Sequence, residues 1–310
     1  MNHLITIIGP TAIGKTALSI QLAKHFNCEI LSCDSRQFFK EMKIGTAVPS
    51  NAELDAATHH FIQNKTIFET YTVGDFEQEA IQLLNHLFKK NKVQIMVGGS
   101  GLYVDAILNG LDDFPEIEKS VRENINTNYN LFGIKYLQEQ LKIVDSAYYQ
   151  KLESTNPQTL LNPQRLKRFV EVSIGTQQPY SSYLGKQKNT KNFTPILIGL
   201  EADRAILNDK INTRVNAMLS NGLLAEAQKL YANKHLNALQ TVGYKELFEY
   251  LNSNNQDSKS LENAIEKIKQ NTRRFAKRQM TWFKRTENVH WFDYLTDTKE
   301  IIKNIELIIR

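Results

Sequence analysis

The sequence predicts an α/β fold in which a parallel sheet forms the core and a helical segment is inserted into it. Three observations favour this fold. A β-branched run, HLITIIGP, ends in a glycine-containing loop, and the segment after it, GKTALSIQLAKHF, has apolar residues at helical spacing. Further strand-like segments alternate with amphipathic helical ones, the pattern of a parallel sheet. From 113 to 192 the pattern is instead helical and polar, without a convincing buried strand.

The first part of the chain predicts the sheet in order. CEILSCDS forms a second buried strand that ends at Asp34, and after a polar stretch DFEQEAIQLLNHLFKKN forms an amphipathic helix. KVQIMVGGSG is a third strand with a glycine turn, and GLYVDAILNGL is a helix that ends near Gly110. Because ligands of such sheets bind at the carboxyl ends of the strands, we expect the site there.

The second part predicts an insertion followed by a return to the sheet. SVRENINTNYNLFGIKYLQEQLKIVD and NPQRLKRFVEVSIG are helical, so residues 113–192 are predicted to be an inserted subdomain within a core of residues 1–112 and 193–310. FTPILIGLEAD then restores a strand, long helices run to about Arg285, and NVHWFDYL adds a short final strand.

Composition indicates a soluble globular protein. Hydrophobic residues make up 41% and charged residues 23% of the 310 positions, both near the globular norm. No apolar run approaches the roughly 20 residues that span a bilayer, and no leader pattern is visible. We therefore expect a cytoplasmic monomer without a membrane segment. Cys28 and Cys33 match no zinc pattern and are expected to pack as small apolar residues.

A phosphate-binding loop (P-loop) lies between the first strand and the first helix. Its residues fit G-x-x-x-x-G-K-[ST] and are Gly9, Pro10, Thr11, Ala12, Ile13, Gly14, Lys15 and Thr16. Backbone N–H groups would hold phosphate oxygens, Lys15 would neutralise charge and the Thr16 hydroxyl would bind Mg²⁺. The motif does not say which phosphorylated ligand is held. Asp34 is placed to act as a base beside the loop, with a helix cap or turn residue as the alternative.

Positive charge is concentrated in one C-terminal segment. Residues 267–285 hold eight basic residues and no acid, and since the net charge is +5 the remainder sums to 5 − 8 = −3. On a helical wheel Lys267, Arg274, Arg278 and Arg285 share a stripe, whereas Ile268, Phe275 and Trp282 form an apolar stripe. A solvated charged helix is the ordinary explanation. The absence of acids favours an RNA-binding surface.

Together the motifs resemble one family, the tRNA dimethylallyltransferases (tRNA isopentenyltransferases) of the bacterial type. The matching segments occur in order over nearly the whole chain: GPTAIGKT, LSCDSRQFF, IGTAVPS, VGGSGLYVDAIL, NPQRLKRFVEV, RVNAMLSNGLLAEA, TVGYKEL and TRRFAKRQMTWFKR. One departure is Ser100, where family members more often have Thr.

The resemblance implies a reaction and a set of residues. A dimethylallyl group would pass from dimethylallyl diphosphate to N6 of the adenosine immediately 3′ of the tRNA anticodon, releasing diphosphate. The P-loop and Arg214 would bind the diphosphate, Thr16 would hold Mg²⁺, and Asp34, Ser100 and Lys15 would be catalytic. The residues implied to contact the tRNA anticodon loop are Asp34, Ser35, Arg36, Gln37, Ser100, Arg122, Gln164, Arg165, Leu166, Lys167, Arg168, Arg274, Lys277 and Arg278.

Three alternatives stay open at the level of sequence. A small-molecule or nucleoside kinase also combines a P-loop with an acid after the second strand, but it does not need the ordered insertion and C-terminal motifs. An isopentenyltransferase that acts on free adenine nucleotides is disfavoured by the basic stripe and the insertion. A non-enzymatic RNA-binding module is disfavoured by the presence of Lys15, Thr16 and Asp34.

Overall fold

The structure is a computed structural model that describes residues 1–186 and 191–310. The chain divides into two compact units, one formed by Met1–Leu108 with Lys191–Arg310 and the other by Asn109–Thr190. The sequence placed the two boundaries at 112/113 and 192/193, a few residues further along the chain.

The first unit contains a parallel sheet of six strands in the order β3-β2-β4-β1-β5-β6. The strands are β1 (His3–Ile8), β2 (Ile30–Ser32), β3 (His59–His60), β4 (Val93–Val97), β5 (Thr194–Glu201) and β6 (Val289–Asp293). The predicted parallel α/β sheet is confirmed, including its short final strand. Strand β3 was not predicted, because two polar residues at the sheet edge leave no apolar pattern.

The sequence of β1 is almost entirely apolar because the strand is buried on both faces. All six of its residues are buried, since β4 and β5 pair with it on either side and helices cover both faces. The chain leaves β1 at Gly9, which places the P-loop at the carboxyl edge of the sheet centre. Strand β2 ends at Ser32, so Asp34 lies two residues beyond the strand and not at its last position.

Thirteen α-helices are assigned within residues 1–186 and 191–310. They are α1 (Lys15–Phe26), α2 (Asn51–Ala56), α3 (Val73–Leu87), α4 (Gly101–Asn109), α5 (Lys119–Phe132), α6 (Ile134–Val144), α7 (Ser146–Thr155), α8 (Pro163–Thr176), α9 (Arg204–Ser220), α10 (Leu223–Leu230), α11 (Tyr244–Asn252), α12 (Ser258–Phe283) and α13 (Thr298–Ile309). Short 3₁₀ helices cover Pro157–Leu161, Tyr180–Tyr183, Tyr231–Asn233 and Asn237–Leu239.

The second unit has its own small apolar core. Helices α5, α6, α7 and α8 bring together Ile125, Leu137, Leu141, Leu166 and Val170, all of which are buried. The segment was predicted to be helical, and its described residues form helices without a strand.

One carboxylate fixes the chain between β2 and α2. Glu226 of α10 accepts hydrogen bonds from the backbone N–H groups of Lys43, Ile44 and Gly45 at 2.8–3.1 Å. It also accepts one from the Tyr244 hydroxyl at 2.6 Å. In a strand these N–H groups would donate to the carbonyl oxygens of a neighbouring strand. Here the Glu226 carboxylate takes the place of those acceptors. It thereby holds the start of the segment that continues into residues 46–49.

We predict that Glu226→Ala destabilises the protein by about 2–4 kcal/mol, because several backbone donors and the Tyr244 hydroxyl lose their acceptor. Urea denaturation followed by circular dichroism measures the free energy of unfolding. Glu249→Ala is the matched control, since Glu249 is exposed and makes only a long ion pair with Lys267, and its loss is expected to cost less than about 1 kcal/mol. Equal losses for both variants would contradict the anchoring role.

Candidate active site

The P-loop joins β1 to α1 in the geometry of an anion site. Gly14 adopts a left-handed conformation with φ 111°, which a side chain would strain, and it is the N-cap of α1. No acidic residue lies in the first turn of α1, so the positive end of the helix dipole is not offset there. Lys15 and Thr16 are the first two residues of the helix. The loop therefore offers backbone donors, a cation and a hydroxyl to a phosphorylated ligand.

The Lys15 ammonium is folded back onto its own loop. Its Nζ donates to the carbonyl oxygens of Gly9 at 2.9 Å and Pro10 at 2.7 Å. Burial, followed by the positive charge of Arg214, lowers the pKa of Lys15 to about 8, and Asp34 acts in the opposite direction. The site is therefore electrostatically poised to take up an anion, which would restore the charged form of Lys15.

A cavity of about 780 Å³ opens over the P-loop. Its lining includes Thr11, Ala12, Ile13, Gly14, Lys15, Thr16, Asp34, Gln37, Thr46, Ala47, Val48, Pro49, Gly98, Gly99, Arg214, Phe275 and Gln279. These come from the carboxyl ends of β1, β2 and β4 and from helices α1, α9 and α12. The position agrees with the ligand site of open parallel sheets.

A second cavity of about 400 Å³ adjoins the first. The two share five lining residues, which are Thr11, Asp34, Thr46, Arg214 and Phe275. The second cavity adds Ser35, Arg36, Ser100 and Arg278. Asp34 and Arg214 thus border both cavities, one built on the P-loop and the other on the basic helix α12. Two ligands can meet at these side chains.

Asp34 and Arg214 both lie beside the P-loop, as the sequence predicted. The backbone N–H of Arg36 donates to Asp34 Oδ1 at 3.0 Å, and in the part of the chain that the structure describes this is the only hydrogen bond to that carboxylate. Arg214 donates to the Thr11 hydroxyl at 3.3 Å. Partial burial lowers the pKa of Arg214 and the nearby Asp34 opposes that shift, which leaves a half-buried guanidinium in contact with the loop through Thr11.

Ser100 lies on the side of the second cavity and not on the P-loop side. Its Oγ accepts from the Ser35 backbone N–H at 3.1 Å and donates to the Ser35 hydroxyl at 3.2 Å. Both hydroxyls line the second cavity with Asp34. This position suits a contact with the molecule that enters the second cavity more than a contact with a diphosphate on the loop.

Arg36 and Gln37 are engaged with backbone in this structure. Arg36 donates to the carbonyl oxygens of Asn237 at 3.0 Å and Ala238 at 3.1 Å. Gln37 donates to those of Thr46 and Ala47 at 3.1 and 3.0 Å. Their side chains therefore hold the cavity walls, and the prediction that they contact tRNA stays a prediction.

The buried face of α12 differs from the predicted stripe. Ile268 is buried, but Phe275 and Trp282 are 38% and 37% exposed. The other buried positions are Ala264, Ala276, Gln279 and Phe283. The predicted apolar stripe therefore lies at the edge of the buried face and not at its centre, because a wheel counts Gln279 as a surface residue, whereas its amide is buried against backbone. Arg285, which was placed on the basic stripe, lies beyond the helix end.

Part of the basic segment is neutralised by acids outside it. Lys267 pairs with Glu249 at 3.5 Å, Lys269 with Glu266 at 2.8 Å and Lys284 with Glu201 at 2.6 Å. Arg274 and Lys277 instead line a groove of about 480 Å³ together with Arg204 and Arg273, and no acid lines it. Arg278 borders the second cavity. The positive surface is therefore narrower than the sequence count indicates.

The basic cluster of the second unit also has internal partners. Arg122 and Arg168 both bind the buried carboxylate of Glu171, at 2.8 and 3.1 Å. Lys167 donates to Asn126 and lies over the Tyr129 ring. Leu166 is fully buried, so its side chain cannot contact RNA here and it is removed from the predicted set. Gln164 and Arg165 are exposed at the start of α8.

Comparison with known proteins shows the family to which the chain belongs. A family profile described as IPP transferase (IPPT) matches residues 37–286. A tRNA dimethylallyltransferase of Flavobacterium psychrophilum is 66% identical over 305 residues, 98% of each chain. The chain belongs to the IPP transferase family. The predictions of this family, of a P-loop fold and of a prenyl-transferring enzyme are therefore confirmed, and a kinase is not supported.

Solved structures of the IPP transferase family have the same fold. A full-length tRNA isopentenylpyrophosphate transferase from Bacillus halodurans matches with a TM-score of 0.70 and 34% identity, covering 100% of this chain and 96% of that one. A eukaryotic dimethylallyltransferase acting on tRNA matches with a TM-score of 0.73 and 26% identity, covering 100% of this chain and 78% of that one.

The family uses a divalent metal. Among residues 1–186 and 191–310, no three His, Cys, Asp or Glu side chains are grouped to hold an ion. The Thr16 hydroxyl lines the first cavity beside Lys15, so a metal there would take most of its ligands from the substrate diphosphate and water. This donor set fits a hard cation.

None of the described helices has the length and apolar composition needed to cross a membrane.

Gln279 is the site residue that the sequence did not single out. It lines the first cavity and bonds the P-loop. A signal did exist: it occupies a helical position between Ala276 and Phe283, at the i+3 and i+7 spacing of the buried face. A polar residue at such a position needs a buried partner.

We predict that donor affinity falls as pH rises above about 8. Diphosphate binds the charged form of Lys15, so below its pKa of about 8 affinity is independent of this group. Above that pH each ligand must bring a proton with it, and affinity drops by up to about tenfold per pH unit. Calorimetry with dimethylallyl diphosphate from pH 7 to 9.5 measures this slope. In Lys15→Met, affinity should change with pH only through the titration of the ligand itself. Identical slopes of log affinity against pH in both proteins would contradict the prediction.

Proposed function

We propose that this protein transfers the dimethylallyl group of dimethylallyl diphosphate to N6 of the adenosine immediately 3′ of the anticodon in tRNA, releasing diphosphate. The observation that carries this assignment is the pair of adjoining cavities with Asp34 and Arg214 at their border. The P-loop cavity suits the diphosphate of the donor. The second cavity, bordered by Arg278 and Phe275, suits a base turned out of an RNA loop.

On the donor side, the chain stabilises a leaving group. As the bond from the allylic carbon to oxygen lengthens, negative charge collects on the departing diphosphate. Lys15, Arg214 and the backbone N–H groups of the loop are all placed to support that charge in a buried site, where electrostatic interactions are strong. We propose that Mg²⁺ binds the Thr16 hydroxyl and the diphosphate, and when bound it would neutralise further leaving-group charge.

On the acceptor side, Asp34 is the proposed base. The adenine N6 lone pair is delocalised into the ring, so the amine must lose a proton as its bond to carbon forms. The N6–C bond forms, the C–O bond to diphosphate breaks, and the N6 proton passes to the Asp34 carboxylate. The Arg36 backbone N–H orients one carboxylate oxygen. The Ser35 and Ser100 hydroxyls in the same cavity can hydrogen-bond the base.

Two surfaces are proposed to hold the rest of the tRNA. On the first unit, Arg278 lies at the second cavity and Arg274 and Lys277 lie along the groove beside α12. On the second unit, Gln164, Arg165 and Lys167 form part of α8, with Arg122 and Arg168 nearby on Glu171. Contacts of this kind position RNA through its phosphates and do not read sequence. We also propose that the protein is a cytoplasmic monomer.

We predict that Asp34→Asn reduces turnover by about 10²–10⁴-fold, the range for a general base, while tRNA affinity changes little. The assay incubates protein, Mg²⁺ and unmodified tRNA with dimethylallyl diphosphate, then measures nucleoside masses after digestion. Asp209→Asn is the matched control, because Asp209 is a carboxylate that lines the P-loop cavity but not the second one. Full activity of Asp34→Asn would overturn the base assignment. A parallel reaction with ATP tests phosphoryl transfer, whose products would overturn the proposed reaction.

We predict that Lys277→Ala weakens tRNA binding in a salt-dependent way, because each lost phosphate contact lowers the slope of log K against log salt by about 0.7–0.9. Lys284→Ala is the matched control on the same segment, since Lys284 is paired with Glu201. Fluorescence anisotropy with an anticodon stem-loop from 50 to 300 mM salt gives both slopes. If the two variants behave alike, the groove beside α12 does not contact RNA.

A further inference from the structure

Helix α12 packs closely on the glycine turn that follows β4. A Cβ on Gly99 would lie 2.2 Å from Gln279 Nε2, and a Cβ on Gly101 would lie 2.5 Å from the Trp282 ring. Real side chains do not approach that closely. Because Gly99 and Gly101 have no side chains, one face of α12 can pack against this turn. Gln279 and Trp282 lie three residues apart on that face.

The Gln279 amide joins two loops of the active site. Its Oε1 accepts from the Thr11 backbone N–H at 2.9 Å, and its Nε2 donates to the Gly99 carbonyl oxygen at 2.8 Å. Gln279 is only 6% exposed. Thr11 in turn accepts from Arg214 through its hydroxyl. One side chain of α12 thus fixes the P-loop, the turn after β4 and, through Thr11, the proposed diphosphate-binding arginine.

No other common side chain of this size makes both contacts. The Thr11 N–H requires an acceptor and the Gly99 carbonyl requires a donor, so the amide has one orientation. Glu keeps the acceptor but places a second oxygen against the Gly99 carbonyl, and Met makes neither bond. Gln279 accepts from the Thr11 N–H alone, so the remaining backbone N–H groups of the loop stay available to the ligand.

The same helix borders the second cavity. Phe275 and Arg278 lie within one turn of Gln279 and line that cavity, where the proposed acceptor enters. A shift of α12 on contact with RNA would therefore move the partner of Thr11. Coupling between two ligands is reciprocal, so such a link would change both affinities by the same factor.

We propose that Gln279 is a positioning residue for prenyl transfer, which sets the shape of the P-loop for the donor diphosphate and links donor binding to RNA contact on α12. The link to RNA rests on the proposed function; the effect on the diphosphate does not. Gln279 acts through Thr11 and Gly99 and touches no reacting atom.

The test compares Gln279→Met and Gln279→Glu with two controls. Asn263→Met changes an exposed amide of the same helix that lines neither cavity nor the groove beside α12. Trp282→Phe removes the 2.9 Å bond to Asp105 from the same packed face, without touching the P-loop. Diphosphate affinity is measured by calorimetry with and without an anticodon stem-loop, and KM and kcat are measured with saturating tRNA.

We expect Gln279→Met to weaken diphosphate binding by about tenfold, equivalent to one lost buried hydrogen bond, and to raise the KM for dimethylallyl diphosphate in parallel. Gln279→Glu keeps the Thr11 acceptor but adds a negative charge to the cavity proposed for the diphosphate, so its donor affinity should fall at least as far. In the unchanged protein RNA should alter diphosphate affinity by at least about fivefold, the lower end of the usual range of coupling, and Gln279→Met should abolish that effect.

Three results would overturn the proposal. One is unchanged diphosphate affinity in both Gln279 variants. Another is an equal ratio of lost diphosphate affinity to lost melting temperature in Trp282→Phe and in Gln279→Met. In that case general destabilisation alone explains the loss of affinity. The third is an unchanged RNA effect in Gln279→Met, which removes the link. Absence of tRNA prenylation by the unchanged protein would instead refute the proposed function and leave the diphosphate measurements interpretable.

Discussion

This site depends on a half-buried positive charge, Lys15, that has only backbone carbonyl oxygens as hydrogen-bond partners among the described residues. Lys15 lies on carbonyl oxygens of its own loop, with Arg214 close enough to lower its pKa to about 8. Both cations are partly removed from water, which costs free energy in the protein without ligand. A diphosphate that binds there recovers this free energy. Two features maintain the state: the helix dipole of α1, and the position of Asp34, which opposes the lowered pKa of Lys15 and of Arg214 without restoring either.

The walls around this charge are held by side chains from distant parts of the chain. Glu226 gives backbone partners to the segment that leads into residues 46–49, and Arg36 ties the residues after Asp34 to Asn237 and Ala238. Gln37 bonds the same wall from the other side. Such fixed walls hold polar groups in place before the ligand arrives, which is what electrostatic stabilisation of a leaving group requires.

The sequence predicted what depends on consecutive residues and missed what depends on partners far along the chain. The P-loop follows β1 directly and Asp34 lies two residues after β2, so local pattern placed both near the carboxyl edge of the sheet. Periodicity failed at Gln279, because a polar residue can be buried once its amide bonds backbone. It failed in the opposite way at Leu166, where a contiguous motif included a residue that the helix turns inward. The acids that neutralise Lys267 and Lys284 lie outside the basic segment, so a local charge count could not show them.

The contact between Gln279 and Gly99 has a consequence for the order in which the protein becomes active during synthesis. The two residues are 180 positions apart, and Thr11 and Gln279 are 268 apart. A nascent chain that has left the ribosome up to β5 already contains the P-loop, Asp34 and the glycine turn. Until α12 is made and packs on Gly99 and Gly101, those loops lack the side chain that joins them. On the proposed role of Gln279, we therefore expect the diphosphate site to be completed only after α12 has been made.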